Sequence, residues 1–459
     1  MEEQEKTTIG PTSGGATRDF LGSIMRGDKT IWGIYIILFC ISTVEIFSAT
    51  SQLAYKSTYI SDPAFAHIKF LFFGLIAVLI AQSMSLKSMQ AWGKIFWVGA
   101  VLLAVLTPIF GVEQKGAVRS LAGIQPVEAC KLGVVMALCS AITAKDSTYH
   151  MFPFFRSHTQ SRRFWFYLFL IGLATLPITL QNLSSGIIIC LASFAIMFIG
   201  RVSGEYLWKL LLIVVLVSGL FLGSLKAVHE SNKGTQGMDN IETVDSQKAS
   251  GKTLDQWVER ASTWANRIFD ESDKPLWEED LTGKKSQVIY ARMALVNGYP
   301  LGRFIGNSKL RDFLPEAFSD YIFAIIFEEW GPIGALFVLL LYIALLGRCI
   351  MLSRHTQNPY IRLMMVGLPL IMIIQALIHI GVCTGAMFVT GQPLPLISRG
   401  GSSIMGTSLS FGLILALSRL IQQENAERQQ PLAVVTSETT EEATAIEIQN
   451  TTIDNTSIE

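Results

Sequence analysis

The stretch LPEAFSDYIFAIIFEEWG, residues 314–331, decides the fold. It passes from a polar, acidic segment straight into an apolar one and then sets two carboxylates, Glu328 and Glu329, inside it. If a helix begins near Asp320, a rise of about 1.5 Å per residue carries Glu328 roughly 12 Å further along. At that depth in a membrane a charge costs on the order of several kcal/mol unless it faces water or a cationic partner.

The rest of the chain supplies the membrane. Half of the 459 residues are hydrophobic and only 16% are charged, whereas soluble domains carry about a quarter. A bilayer core of about 30 Å needs roughly 20 mostly apolar residues in a helix. Ten such runs occur, at about 31–50, 67–85, 95–110, 127–144, 164–180, 186–200, 207–224, 321–347, 361–383 and 403–421. The spacing predicts an all-α polytopic membrane protein: spans one to seven in 31–224 and spans eight to ten in 321–421, with a large loop at 225–320 between spans seven and eight.

Lys and Arg in the short connections set the orientation, because basic residues stay on the cytoplasmic side. Lys6, Arg18, Arg26 and Lys29 precede span one, and Lys145, Arg156, Arg162 and Arg163 lie between spans four and five. Arg348, Arg354 and Arg362 follow span eight. Both termini are thereby expected in the cytoplasm, with 225–320 outside. Residues 1–30 are a cytoplasmic tail without the apolar core of a cleaved signal. Residues 422–459 read as a disordered cytoplasmic tail, since 430–459 are rich in Thr and Glu and contain no Lys or Arg. Net charge is zero and no basic cluster points to nucleic acid.

Several chemistries are missing. The six cysteines lack CxxC spacing and the six histidines lack HExxH spacing. No P-loop or GxSxG occurs, and GRFIGNS, 302–308, reads as a turn. His379, within span nine, is open to a functional role or a packing hydrogen bond. In the outer loop, TLDQWVERASTWANRIF places Leu254, Trp257, Val258, Ala261, Trp264 and Ile268 on one helical face, suited to a membrane surface. SQVIYARMALVNGYPLGRFIG is apolar but too interrupted to span, which suggests an interfacial or re-entrant element. For both stretches, packing against the outer ends of the spans is an equal alternative.

Three polar constellations remain. Glu328 or Glu329 is expected to pair with a Lys or Arg of another span. In IQPVEACKL, Glu128 and Lys131 are three apart and share a helix face. Two buried polar elements near outer span ends imply a polar cavity opening outward, with Asp320 at its mouth. In VTGQPLPLISRGGSS, 389–403, Pro393 and Pro395 prevent regular helix, Gly400 and Gly401 permit close backbone approach, and Ser402 and Ser403 can cap the next helix. This is either a stiff outer loop or, through exposed N–H groups, Arg399 and a helix N-terminus, an anion site.

GIQPVEACKL, GNSKLRDFLPEAFSDYIFAIIFEEWG and TGQPLPLISRGGSS, in that order along the chain, resemble the signature segments of the SEDS family (shape, elongation, division and sporulation), represented by FtsW and RodA. The resemblance implies a ten-span peptidoglycan glycosyltransferase of the cytoplasmic (inner) membrane. Such an enzyme polymerises the undecaprenyl-linked precursor lipid II at the outer face, with a class B penicillin-binding transpeptidase and, for division, divisome proteins at the septum. In the family motif PEAxxDxxFA the aspartate is catalytic, and that position is Asp320. Span one and Arg399 resemble FtsW proteins of Bacteroidetes more than RodA. Four positions depart from the family pattern: Arg399 replaces an aromatic residue, Asn182 and Ser184 in QNLSSG replace an acidic residue and Gly, and Val127 replaces Ser.

Joining a sugar hydroxyl to an anomeric carbon that carries a lipid pyrophosphate needs a base for the hydroxyl and positive charge for the departing phosphates. The pyrophosphate leaves without a proton, so one carboxylate suffices, unlike the paired acids common in glycosidases. Asp320 is expected to be that base, in an inverting transfer. Arg119 in KGAVRS and Arg267 in NRIF resemble family positions. They join Gln125, Glu128, Lys131, Lys309, Glu316, Arg399, Ser402 and Ser403 as expected substrate-binding residues, and Arg311 is a further candidate cation. A divalent cation, Mg or Mn, is the alternative source of charge. Glu328, Pro393, Pro395, Gly400 and Gly401 are expected to organise the cavity; for Glu128, Lys131 and Glu328, structural pairing is the alternative to substrate contact. The competing functions are a RodA-like elongation polymerase, a lipid II flippase and a non-enzymatic division scaffold.

Overall fold

A computed structural model of the chain describes residues 25–49, 62–110, 112–114, 117–120, 125–144, 160–236, 286–314 and 317–455; the strands 112–114 and 117–120, and residues 62–63, 109, 180, 217–218, 221–222, 225, 227–236 and 429–455, are described by backbone alone. Every expected span falls on a helix: α1 Lys29–Ala49, α2 Asp62–Ala81, α3 Leu86–Phe110, α4 Pro126–Thr143, α5 Gln160–Gln181, α6 Leu183–Ile199, α7 Gly204–Gln236, α9 Ile322–Ser353, α10 Pro359–Thr384 and α11 Gly401–Asn455. Among the described residues, 7 of these are long and apolar enough to cross a membrane; α5, α6 and α7 fall outside that set, α6 being an apolar helix of 17 residues. Helices α4, α10 and α11 are mostly buried in the bundle, whereas α2 and α3 turn most of their residues outward. Their outward faces expose large apolar side chains such as Phe72 and Leu102, as lipid contact requires.

Three features differ from the expectations. A two-stranded antiparallel hairpin, β1 Val112–Gln114 and β2 Ala117–Ser120, precedes α4. It pairs backbone groups at the end of a span where they would otherwise lack partners, and so qualifies the all-α reading. The expected disordered tail instead continues α11 as helix to Asn455. The run of Gln, Glu and Ala at 422–429 favours helix locally, while nothing local accounts for its passage through Pro431 and the Thr-rich residues beyond. Finally, α9 is not one continuous helix: Gly331 sits at φ 72°, ψ −176° just before Pro332.

That break docks the outer segment. Pro332 has no N–H to give the carbonyl four residues back, which is Glu328, and the backbone N–H of Arg303 donates to that carbonyl at 2.8 Å. Helix α8, Ser286–Gly298, packs on α9 and α10 and buries Ile289, Ala291 and Ala294. The stretch read as interfacial or re-entrant is therefore, in its helical part, packed against span ends. Glycine is required here: a Cβ on Gly298 would stand 2.2 Å from the Phe327 carbonyl oxygen, and one on Gly302, at φ +82°, 2.5 Å from that of Glu329. GRFIGNS is the expected turn. The amphipathic stretch 253–269 lies outside the described residues.

Candidate active site

Residues 389–400 form the floor of the site. They run without helix between α10 and α11, yet Gln392, Leu394, Pro395, Leu396, Ile397 and Ser398 are buried. Irregular backbone at membrane depth is tolerated only when protein satisfies its polar groups, and here five of the carbonyls each find a separate side-chain partner. The Ser184 hydroxyl of α6 donates to Thr390 O at 3.0 Å, and the His379 ring of α10 meets Gln392 O through Nδ1 at 2.7 Å. Gln375 Nε2 of α10 donates to Pro393 O at 2.7 Å, Tyr342 OH of α9 to Pro395 O at 2.6 Å, and Ser42 Oγ of α1 to Ile397 O at 3.3 Å. The segment is a wedge clamped by four helices, not the outer loop with exposed N–H groups that its prolines suggested. His379 also accepts the Phe323 N–H on Nε2 at 3.5 Å. That fixes a neutral ring protonated on Nδ1 and gives this residue the packing role.

The wedge holds the catalytic candidate in place. Arg399 N–H donates to Phe318 O at 2.9 Å, and Ser398 Oγ donates to Ser319 O at 2.7 Å. The Arg399 guanidinium lies 5.2 Å from the Phe318 ring centre, so this departure from the family's aromatic residue still makes a cation–π contact. Asp320, two residues before α9, is half-buried and accepts Ser319 Oγ at 3.0 Å on Oδ1. Its other oxygen faces the wedge at Gly391, where an added Cβ would lie 3.5 Å from Oδ2. Among the described residues no Lys or Arg forms an ion pair with this carboxylate. It is held by a neutral hydroxyl and keeps a free face.

Glu128 and Lys131 lie on the inward face of α4 and bond each other at 2.8 Å. Lys131 Nζ also donates to Gln375 Oε1 at 2.6 Å, and through Gln375 the pair reaches Pro393 of the wedge. The cavity they line with Gly406, Thr407 and Ser410 offers about 20 Å³ to the centre of a water-sized sphere, room for about one water. This geometry supports the structural reading of the pair. Gln125 is the N-cap residue of α4, in extended backbone.

Ser402 and Ser403 open α11. Ser403 is buried and its hydroxyl has no hydrogen-bond partner among the described residues. Gly401 is required by packing, since a Cβ there would meet the Phe70 ring at 2.6 Å.

Glu328 and Glu329 answer the opening problem differently from the expectation of a cationic partner in another span. Glu328 accepts from Asn297 Nδ2, Ser308 Oγ and, at 3.1 Å, Lys309 N–H. Glu329 accepts from Ser48 Oγ and, at 3.0 Å, from Gly306 N–H, with Arg311 Nη1 3.8 Å away. Both carboxylates fasten the 297–311 turn to α9 rather than lining the cavity. Lys309 is exposed above them. Arg119 is placed on β2 by its backbone, while Arg267 and Glu316 lie outside the described residues. Sequence reasoning overlooked Ser42, Tyr342 and Gln375, whose signal was a polar side chain in an apolar span. It had noted Ser184 only as a departure.

The family model of the FtsW, RodA and SpoVE cell cycle proteins matches residues 28–423. The peptidoglycan glycosyltransferase MrdB of Escherichia coli K12 is 25% identical over 85% of this chain and 93% of its own length. A probable peptidoglycan glycosyltransferase FtsW of Coxiella burnetii is 26% identical over 86% of this chain and 99% of its own, and the stage V sporulation protein E of Bacillus subtilis is 27% identical over 84% and 95%. The fold matches a chain of a peptidoglycan synthase complex with TM-score 0.59 at 21% identity, covering 86% of this chain and 99% of that one. It also matches the Thermus thermophilus rod shape determining protein RodA with TM-score 0.55 at 19% identity, covering 86% and 97%. With the family model matching residues 28–423, the chain belongs to the SEDS family of FtsW, RodA and SpoVE proteins.

Proposed function

We propose that this chain is a peptidoglycan glycosyltransferase that polymerises lipid II into glycan strands at the outer face of the cytoplasmic membrane, by inverting transfer with Asp320 as general base. The observation that carries the reading is the Asp320 carboxylate: half-buried, without an ion pair among the described residues, steadied by Ser319 and backed by a wedge that four helices hold. A base kept unpaired can take the proton of an acceptor hydroxyl as that oxygen attacks the anomeric carbon. General base catalysis of this kind contributes typically about 10²- to 10⁴-fold. The names of the relatives MrdB and FtsW support the activity.

The departing pyrophosphate needs positive charge. Arg399 and the α11 N-terminus with Ser402 and Ser403 are the donors proposed for it, and Lys309 is an exposed cation of the outer turn. Arg119, Arg267 and Glu316 stay in the proposed substrate set on resemblance alone. Among the described residues no three His, Cys, Asp or Glu side chains gather as a metal site. An Mg or Mn ion brought with the pyrophosphate, rather than held by a protein cage, is the form of cation requirement that these residues fit.

A division role, with a class B transpeptidase and divisome partners at the septum, follows the resemblance of span one and Arg399 to FtsW. The kinship of the fold to a chain of a peptidoglycan synthase complex supports such a partner. Midcell rather than side-wall fluorescence of a tagged chain distinguishes this from elongation. The activity itself is tested by reconstituting the chain with its transpeptidase in liposomes and supplying labelled lipid II. Glycan strands on the gel support the polymerase. Label that crosses the bilayer without forming strands would support a flippase instead.

A further inference from the structure

At the end of the bundle opposite Asp320, the tips of α4, α5 and α6 enclose a second cavity, independent of the catalytic reading. It offers about 150 Å³ to the centre of a water-sized sphere, and its lining includes Gln160, Arg163, Phe164, Tyr167, Gly200 and Arg201. On the same measure one water needs about 10–15 Å³, so the space accommodates a group larger than a few waters. Among the described residues no acidic side chain lines it. Glu205, close by in sequence, is paired with Lys209 at 2.6 Å. Two arginines thus line one cavity without a carboxylate of the described residues to neutralise them. Arg163 is half-buried, and its Nε is shut off from solvent with no hydrogen-bond acceptor among the described residues. It is a buried donor in want of an acceptor.

The backbone at Arg201 adds an independent observation. Helix α6 ends in a Schellman motif, with Val202 N–H bonding Met197 O and Arg201 N–H bonding Phe198 O, each at 3.1 Å. The residue after the cap must then take left-handed backbone, a position that favours glycine. Arg201 takes it, at φ 54°. An unfavourable conformation tolerated at a charged residue marks a place where the side chain has a use. Just inside this ring the chain is apolar and outward-facing: Phe198 is 68% exposed and Trp165 61%. A basic cavity at the membrane interface above an apolar face is the form of an anionic lipid site.

We propose that this cavity binds the phosphate headgroup of an anionic phospholipid, with Arg163 and Arg201 as its ligands and the acyl chains lying along Phe198 and Trp165. The end of the bundle that holds it is the one whose connections carry the excess of Lys and Arg, so the lipid belongs to the inner leaflet.

Native mass spectrometry of the full-length chain in detergent, titrated with dioleoyl phosphatidylglycerol or dioleoyl phosphatidylcholine, tests the site. The expected result is saturable retention of phosphatidylglycerol and little of phosphatidylcholine. Combining R163Q with R201G should weaken phosphatidylglycerol binding about 30-fold, from roughly one kcal/mol per basic residue near a membrane surface. R201G removes the cation while relieving the backbone, so lost binding cannot be ascribed to a damaged helix end. R162Q, at an exposed arginine outside the cavity, should bind like wild type. Equal retention of the two lipids by wild type, or unchanged phosphatidylglycerol binding in the double variant, would overturn the proposal. So would displacement of the lipid by inorganic phosphate at comparable concentration, which would make this a soluble-anion site.

Discussion

Replacing Lys131 by methionine separates a structural tie from a substrate contact. The side chains of Lys131 and Glu128 are 7% and 10% exposed, and their charged atoms lie 2.8 Å apart. At an effective dielectric of about 20 that separation corresponds to about 6 kcal/mol of mutual attraction, most of it offset by removing both ions from water. Lys131→Met deletes the attraction and leaves Glu128 buried with its desolvation unrelieved, a loss of about 3–5 kcal/mol. Gln375, whose Oε1 accepts from Lys131, loses one donor, worth about 1 kcal/mol, and its grip on Pro393 loosens. Removing both charges, in Lys131→Met with Glu128→Gln, returns the protein to within about 1–2 kcal/mol of wild type. The readouts are unfolding in mixed micelles on titration with dodecyl sulfate, alongside lipid II polymerisation. The expected pattern is an unstable, inactive single variant and a double variant that recovers both stability and most activity. A double variant as stable as wild type yet inactive would refute the reasoning, because Lys131 would then contact substrate.

Gly391→Ala places a methyl group 3.5 Å from Asp320 Oδ2 on backbone at φ +63°; strain of about 1–2 kcal/mol is expected, with a fall in polymerisation larger than the stability change, read by the same pair of assays. Glu328→Ala strands the Ser308, Asn297 and Lys309 donors, so hydrogen exchange should quicken across 303–311 while α4 stays protected. The ion pair of Asp28 with Arg348, 2.6 Å long, gives a pH signature. Burial raises the Asp28 carboxyl, but the Arg348 guanidinium and the Ile31 and Thr30 amides outweigh it, so the group titrates below its usual 3.8. A depressed folded value means the stabilisation is present above the unfolded value and is lost as pH falls through the folded one. Wild type should therefore lose stability below about pH 4, and Asp28→Asn should lack this component of the acid sensitivity in unfolding measured across that range.

The ten helices were legible because a span needs only a long apolar run, a property of local composition. Asp320 stood out as the candidate base only through the resemblance of its flanking motif. The wedge was not. PLP announces an interruption, but burial of 389–398 depends on Ser42, Ser184, Tyr342, Gln375 and His379 arriving from four helices, and no local pattern encodes that convergence. The partners of Glu328 and Glu329 were misassigned for a related reason. A charge in a span suggests an opposite charge in another span, whereas backbone N–H groups of a docked turn satisfy it equally well. The α9 break was half visible in Gly331 and Pro332, and what the sequence withheld was that Arg303 would take the vacated hydrogen bond. In the tail, low hydropathy favoured disorder while local propensity favoured helix.

Polymerisation of labelled lipid II by the chain reconstituted with its transpeptidase, wild type against Asp320→Asn, tests the central claim most directly. Asparagine nearly preserves the volume and can still accept the Ser319 hydroxyl, but it cannot take a proton. Strand formation should fall by at least about 100-fold while the complex still co-purifies intact. Strands formed at the wild-type rate by the asparagine variant would contradict Asp320 as the base.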